Sequence, residues 1–187
     1  MTDLTFDEAK HEYRVDGRVV PSVTQVLSEM GFINSEWFTE ESRIRGTLVH
    51  RLCELWDKDE LDPLTVDPRL AGYLKAWQKF CRAEEMVWLH IEKKMFHKVL
   101  RYAGTPDRIG FDRRGWVTVV DIKTGISAPW HSYQLGGYLS IHPAKVALSV
   151  LVADDGTFRV EYHQVEQAVR DWNAIYHTYT LQKGLAR

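Results

Sequence analysis

Gly104-Thr105-Pro106-Asp107 and, further along, Val119-Val120-Asp121-Ile122-Lys123-Thr124-Gly125 decide how this sequence is read. Val117 to Val120 has strand character. A strand buried on both faces continues apolar, whereas this one ends in Asp-x-Lys. Side chains alternate across a strand, so Asp121 and Lys123 share a face. Asp107 stands fourteen positions upstream of Asp121. Two carboxylates and an ammonium gathered at one sheet edge suit a hard divalent cation and an attacking water. That is the chemistry of metal-dependent phosphodiester cleavage.

Working outward, the period of the apolar residues predicts the elements. Residues 87–97, 99–111 and 115–123 read as three consecutive strands, the last two joined by a turn at Asp112-Arg113-Arg114-Gly115. Residues 130–141 read as a helix between Pro129 and Pro143. Lys145 to Ala153 is an apolar strand, and Asp154-Asp155-Gly156 turns it into Thr157 to His163. Residues 165–182 form a closing helix with Val165, Val169, Trp172, Ile175 and Tyr179 on its apolar face. Upstream, residues 4–20 read as a hairpin around Asp16-Gly17. Ser22 caps a helix carrying Val23, Val26, Leu27 and Met30, which stops at Gly31. Residues 35–57 are helical, with Leu48, Val49, Leu52, Leu55 and Trp56 as one stripe. A proline-containing loop from Asp59 to Pro68 leads to a third helix over 68–85 with Leu70, Leu74, Trp77 and Phe80 buried. The sum is one α/β domain over 1–187, with an N-terminal extension (1–42) of hairpin and helix and a core from 43 onward.

The chain has 187 residues, enough for one domain with a good core. Its 24 basic and 26 acidic residues leave a formal charge of −2, so no global positive field marks a nucleic-acid partner. Local basic groups remain: Arg43, Arg45 and Arg51; Lys93, Lys94, Lys98 and Arg101; Arg113 and Arg114. No apolar run reaches the roughly 20 residues that span a bilayer. The N-terminus lacks a basic, apolar leader pattern, so the expected location is the cytoplasm. Two cysteines, Cys53 and Cys81, are too few for an iron–sulfur cluster or a four-thiolate zinc site and read as buried free thiols.

Further residues join the acids. Gly46, His50 and Glu54 recur every four residues and share a helix face opposite the Leu48/Leu52/Leu55 stripe. Imidazole is a good partner to two carboxylates on a transition-type divalent ion. Pro106 restricts Thr105 and Gly104 relaxes it, a bend that aims Asp107. Glu92, in the run Trp88-Leu89-His90-Ile91-Glu92, needs a partner when buried: the lysine, a metal through water, or an arginine. Gln134 and Tyr138 lie one turn apart on the helix after the Asp-x-Lys strand, with Gly136 and Gly137 roughly opposite, where the helix can pack closely on the sheet. Trp130, His131 and Tyr133 are aromatic groups near the site that can stack on bases, with core packing the stronger reading for Tyr133.

Together Arg45-Gly46-Thr47-x-x-His50, Glu92, Gly104-Thr105-Pro106-Asp107, Val120-Asp121-Ile122-Lys123-Thr124-Gly125 and Tyr133-Gln134-Leu135-x-x-Tyr138 resemble the PD-(D/E)XK nuclease superfamily, in its RecB-like exonuclease branch. Tyr13-x-Val15-Asp16-Gly17 with Val20-Pro21-Ser22-Val23-Thr24 resembles the opening of phage-borne members. The resemblance implies a restriction-endonuclease-like αβββαβ core, a central mixed sheet flanked by helices. It implies Mg²⁺ or Mn²⁺ held by Asp107, Asp121, the backbone carbonyl of Ile122 and His50. Lys123 would position or activate water, and Gln134 and Tyr138 would support Lys123 and the scissile phosphate. The implied activity is an exonuclease on linear DNA in replication, recombination or repair. Alternatives on the same fold are a structure-specific endonuclease and an inactive nucleic-acid-binding protein. The four cluster cysteines of the iron–sulfur nucleases in this branch are missing, so no iron–sulfur cluster is expected. DNA with a free end is the expected partner. Since the chain lacks a Gly-x-x-x-x-Gly-Lys-Ser/Thr motif, unwinding would fall to a recombination or replication partner protein.

Overall fold

The computed structural model describes residues 3–34, 36 and 38–184. Its N-terminal segment is a three-stranded antiparallel meander of β1 (Leu4–Asp7), β2 (Glu12–Val15) and β3 (Arg18–Val20). The expected hairpin is its second half. Asp16 and Gly17 both take positive φ (51° and 76°), as the tight turn between right-twisted strands requires. Ser22 Oγ accepts the Gln25 N–H at 3.0 Å and starts α1 (Val23–Glu29), and Gly31 stops the run at φ 78°.

Next come α2 (Glu40–Asp57), a 3₁₀ turn at Pro63–Thr65, and α3 (Ala71–Ala83). Residues 35 and 37, inside the expected second helical region, lie outside the described residues. On α2 the buried residues are Val49, Leu52 and Cys53, while Leu48 is 47 % exposed. The predicted stripe is thus rotated, because Cys53 rather than Leu48 completes the face against the sheet.

The expected strand over 87–97 is two pieces, β4 (Val87–Ile91) and β5 (Met95–Phe96). The one over 99–111 is likewise β6 (Ala103–Gly104) and β7 (Arg108–Phe111). Glu92 breaks the first by entering the left-handed region at φ 48°, and its N–H donates to Asp107 O at 3.0 Å. The Thr105–Asp107 bend breaks the second. Both breaks fall beside the acids, and β5 with β6 forms a separate two-stranded ladder. Then follow β8 (Val117–Lys123), α4 (Trp130–Ile141), β9 (Val146–Val152), β10 (Phe158–His163) and α5 (Val165–Gln182), close to the predicted limits.

The main sheet has the order β10-β9-β8-β7-β4. Only β8 and β9 are parallel, joined through α4 as a parallel pair requires; every other neighbour is antiparallel. This is the expected central mixed sheet flanked by helices. One face, with Ile109, Val119 and Ala147, packs against α1, α4 and α5. The other, with Val120, Ile122, Leu148 and Val150, packs against α2 and α3. Among the described residues no helix is long and apolar enough to cross a membrane.

The glycines of α4 do not meet the sheet, contrary to the expectation for them. A Cβ on Gly136 would lie 2.0 Å from Ala168 O and 3.0 Å from Trp172 Cβ, both on α5. One on Gly137 would meet Val23 of α1 at 2.8 Å. Small residues here admit two neighbouring helices, while Gln134 and Tyr138 hold the side toward the sheet edge. Gly136→Ala should therefore destabilise by about 1–3 kcal/mol through overpacking. The change would otherwise gain roughly 0.5–1 kcal/mol of helix propensity. Urea unfolding reads the sign, and a stabilised variant would contradict this packing.

A candidate metal centre at the broken strands

Period-two alternation decides which face carries the centre. Asp121 and Lys123 share parity with Val119, so they point to the α4 side, where Lys123 Nζ donates to Gln134 Oε1 at 2.8 Å. Gln134 Nε2 in turn donates to the Tyr138 hydroxyl at 2.9 Å. The predicted pair on α4 thus reaches Lys123 as a relay of two hydrogen bonds. Lys123 Nζ also lies 2.6 Å from Asp121 Oδ2 and 4.5 Å from the centre of the Trp130 ring. The Lys123–Asp121 contact is an ion pair without a well-directed hydrogen bond, which leaves buried Asp121 Oδ2 with no directed donor.

Asp107 arrives from the bend before β7. Its Oδ2 accepts the Ile122 N–H at 2.6 Å, and its Oδ1 lies 3.4 Å from His50 Nδ1. His50 Nε2 donates to the Ile122 carbonyl at 2.9 Å. One imidazole of α2 therefore spans the carboxylate and the carbonyl expected as ligands. Gly104 serves this bend by space rather than by conformational freedom. A Cβ there would sit 2.8 Å from Tyr138 Cε1. Thr105 Oγ1 pairs with the Tyr13 hydroxyl at 2.7 Å, which ties the N-terminal meander to the centre.

His50, Glu92 and Asp107 offer ligand atoms that all lie within 4.8 Å of one another. Glu92 Oε1 accepts from Arg108 Nη1 at 3.0 Å, the arginine partner among the three readings of that acid. The electrostatics are those of crowded carboxylates. Burial, then the charge of Asp107, pushes Glu92 up to about 8. Burial likewise raises Asp121 to about 6, against the pull of Lys123 and with the push of Asp107. Burial opposes ionisation of Asp107 too, but His50, Lys123 and the Ile122 N–H outweigh it and hold its carboxyl below the usual range. Burial disfavours the His50 imidazolium, yet Asp107 and Glu92 lift it to about 9. Its side chain is 31 % exposed in the cleft, so solvent moderates that shift. The raised Glu92 and Asp121 record buried carboxylates short of positive charge, whereas Asp107 takes most of what His50 and Lys123 supply.

Sequence reasoning missed the group behind the centre. Asp57 and Arg108 are fully buried side chains, paired Nε to Oδ2 at 2.5 Å. Asp57 also accepts from the indole N–H groups of Trp77 (3.1 Å) and Trp88 (3.0 Å). Arg108 Nη1 bonds Asp107 O at 2.6 Å as well as Glu92. His50 and Asp57 are seven residues apart, two turns of α2, so one helix side meets both Asp107 and Arg108. The available signal was an arginine opening the otherwise apolar Arg108-Ile109-Gly110-Phe111.

His131 is buried at 2 % exposure and cannot stack on a base from that position. Tyr133 packs its ring against Phe32, as the core reading had it. Several of the basic candidates are engaged in surface pairs: Arg51 with Glu54, Arg101 with Asp16, Arg113 with Glu84 and Arg114 with Asp112. Cys53 and Cys81 are buried thiols whose ionisation burial suppresses. Burial, with Lys123 and His163 adding to it, depresses His131 to about 3, and its Nδ1 has no hydrogen-bond partner. A histidine with a lowered folded pKa contributes stability that is present above its ordinary 6.5 and lost as pH falls toward the folded value. In metal-free protein the contribution of His131 should thus be lost between pH 6.5 and about 3. His131→Asn should flatten that slope in urea midpoints measured across the range.

No protein-family model matches the sequence, and no curated protein is similar to it. Among solved structures, the chain is similar to LHK-Exo in complex with dAMP at 10 % identity and a TM-score of 0.49, covering 87 % of each chain. It is similar to the alkaline exonuclease LHK-Exo from Laribacter hongkongensis at 9 % identity and a TM-score of 0.48, with the same coverage. SSO0001 aligns at 17 % identity and a TM-score of 0.38, over 83 % of this chain and 84 % of that one.

Proposed function

We propose that this chain is a Mg²⁺- or Mn²⁺-dependent deoxyribonuclease, an exonuclease acting on linear DNA in replication, recombination or repair. The observation that carries the reading is the convergence of His50, Glu92 and Asp107 within 4.8 Å, beside the Asp121–Lys123 pair. The donor set fits a divalent cation. It is rich in hard carboxylate oxygen with one imidazole, its acids repel one another, and Asp121 Oδ2 lacks a directed donor. Asp107, Asp121, the Ile122 carbonyl and His50 are the ligands proposed, with Glu92 close enough to His50 and Asp107 to share the ion.

A bound cation would supply positive charge to the phosphate and acidify a water. The chain's own groups do the rest. Asp107, from the bend before β7, and Asp121, from β8, would hold the ion between them. Lys123, oriented by Gln134 and through it by Tyr138, faces the centre with an ammonium that can neutralise phosphate charge or exchange a proton with water. His50, which now bonds the Ile122 carbonyl, would hold the ion in its neutral form. DNA is the substrate on this reading, and a replication or recombination partner would provide unwinding.

The test uses end-labelled linear single- and double-stranded DNA and a closed circle, with Mg²⁺, Mn²⁺ or EDTA. Degradation of linear DNA alone, abolished by EDTA, is the expected result. Cutting of the circle would move the reading to a structure-specific endonuclease, and binding without turnover under every condition to an inactive nucleic-acid-binding protein.

A further inference from the structure

The proposed centre opens into two grooves that meet at Gly46 and His50. The first, of about 810 Å³, runs under the N-terminal meander and is lined by Glu8, Glu54 and Glu92 beside Arg51 and Lys94. The second, of about 680 Å³, lies between the start of α2 and the loop from Lys123 to Trp130. None of its described lining residues is Asp or Glu, in a chain with more acids than bases. Arg43, Arg45 and Lys123 line it, with Phe38 and Trp130 as aromatic walls. Ile126 stands 88 % exposed on its loop, with no part in the core. Arg45 Nε is buried and has no hydrogen-bond partner.

We propose that this acid-free groove is the track of a single DNA strand leading to the scissile phosphate, an assignment that rests on the nuclease reading above. In the first groove Arg51 and Lys94 stand among three glutamates, whereas the second offers Arg43, Arg45 and Lys123 with no carboxylate in its described lining, so a row of phosphates is drawn to the second. A guanidinium matches phosphate geometry, and Arg45 lines this groove with an Nε–H that has no hydrogen-bond partner among the described residues. Aromatic rings stack on bases whose faces are open. Within a duplex those faces are covered by neighbouring pairs, so Phe38, Trp130 and the exposed Ile126 favour an unpaired strand. Lys123 and His50 line the groove, so a strand lying in it brings a phosphate to the centre.

The experiment measures binding without cleavage, in EDTA, by anisotropy of a labelled single-stranded oligonucleotide and of its blunt duplex. The proteins are wild type, Arg45→Gln and, as a charge control on α5, Arg170→Gln. The single strand should bind more tightly than the duplex. Arg45→Gln should weaken it about tenfold and lower the slope of log Kd against log salt by about one. Arg170→Gln should do neither. A duplex bound as tightly as the strand, or wild-type affinity and slope in Arg45→Gln, would overturn the assignment. If Arg45→Gln does not fold, cross-linking wild type to a strand carrying 5-iododeoxyuridine decides. Attachment at Phe38 or Trp130 supports the track, and attachment at Phe6 or Tyr13 overturns it. The two readings fail separately. A protein that holds the strand in this groove yet cuts nothing refutes the nuclease and keeps the track. One that cuts DNA with Arg45 indifferent keeps the nuclease and refutes the track.

Discussion

Asp121→Asn should lower the rate of DNA degradation by about a thousandfold or more, the scale on which preorganised charge acts in a site of this kind. The same variant should fold at least as stably as the wild type when metal is absent. Asn keeps the shape of the side chain, so the buried packing at the end of β8 survives. What it removes is a carboxylate at 1 % exposure that faces Asp107. The sign follows from the raised pKa of about 6. An acid lifted above its unfolded value opposes folding at pH above both values, and this opposition vanishes as pH falls below them. At pH 7.5 the metal-free wild type therefore carries a cost of roughly 1–3 kcal/mol that Asn relieves. For a chain of this size that is a Tm gain of a few degrees, at about 2–4 °C per kcal/mol. Added Mg²⁺ or Mn²⁺ should raise the Tm of the wild type and leave Asp121→Asn nearly unmoved, because ligand binding stabilises only the state that binds. Calorimetry with and without metal, beside a cleavage assay, reads all three effects. An active Asp121→Asn protein would remove Asp121 from the centre.

Arg108→Met should destabilise by about 3–5 kcal/mol, the cost of leaving one member of a buried ion pair without its partner. Arg108 is fully buried and serves three oxygens: Asp57 Oδ2, Glu92 Oε1 and the Asp107 carbonyl. Its loss leaves Asp57, among the described residues, with the indole N–H donors of Trp77 and Trp88. Burial already holds Asp57 above the usual carboxylate range despite the arginine. Without the guanidinium it must protonate or unfold its surroundings. The double variant Asp57→Leu/Arg108→Met should recover part of the loss, because an apolar pair carries no stranded charge. Urea unfolding of the two single variants and the double gives the coupling. A double variant less stable than the sum of the singles would argue against a simple pair.

The arginine also connects stability to the proposed chemistry. It holds Glu92 and the Asp107 backbone from behind, while His50 and Ile122 hold the Asp107 carboxylate from the cleft side. Arg108→Met should consequently weaken metal binding even at temperatures where the protein remains folded.

Local pattern carried much of this in the sequence itself. The proline-bounded helix over 130–141 and the closing helix over 165–182 follow from periodicity and punctuation, which are properties of adjacent residues. So does the shared face of Asp121 and Lys123, since strand alternation is local geometry. The spacing of Gln134 and Tyr138 placed both toward Lys123 for the same reason.

The tertiary structure decided what depends on partners far along the chain. Strand reading ran through Glu92 and through Thr105–Asp107, because apolar residues lie on both sides of each break. Only the Glu92 N–H bond to Asp107 O, between residues that flank different strands, shows why the chain turns there. The face of α2 against the sheet was misjudged because Leu48 and Cys53 are both apolar enough to be buried, and the sheet's shape selects Cys53. Gly136 and Gly137 read as room for a sheet, whereas the nearest neighbours are α5 and α1. The Asp57–Arg108 pair joins residues fifty-one positions apart. No local pattern encodes such a contact, which exists only once α2 and β7 are packed together.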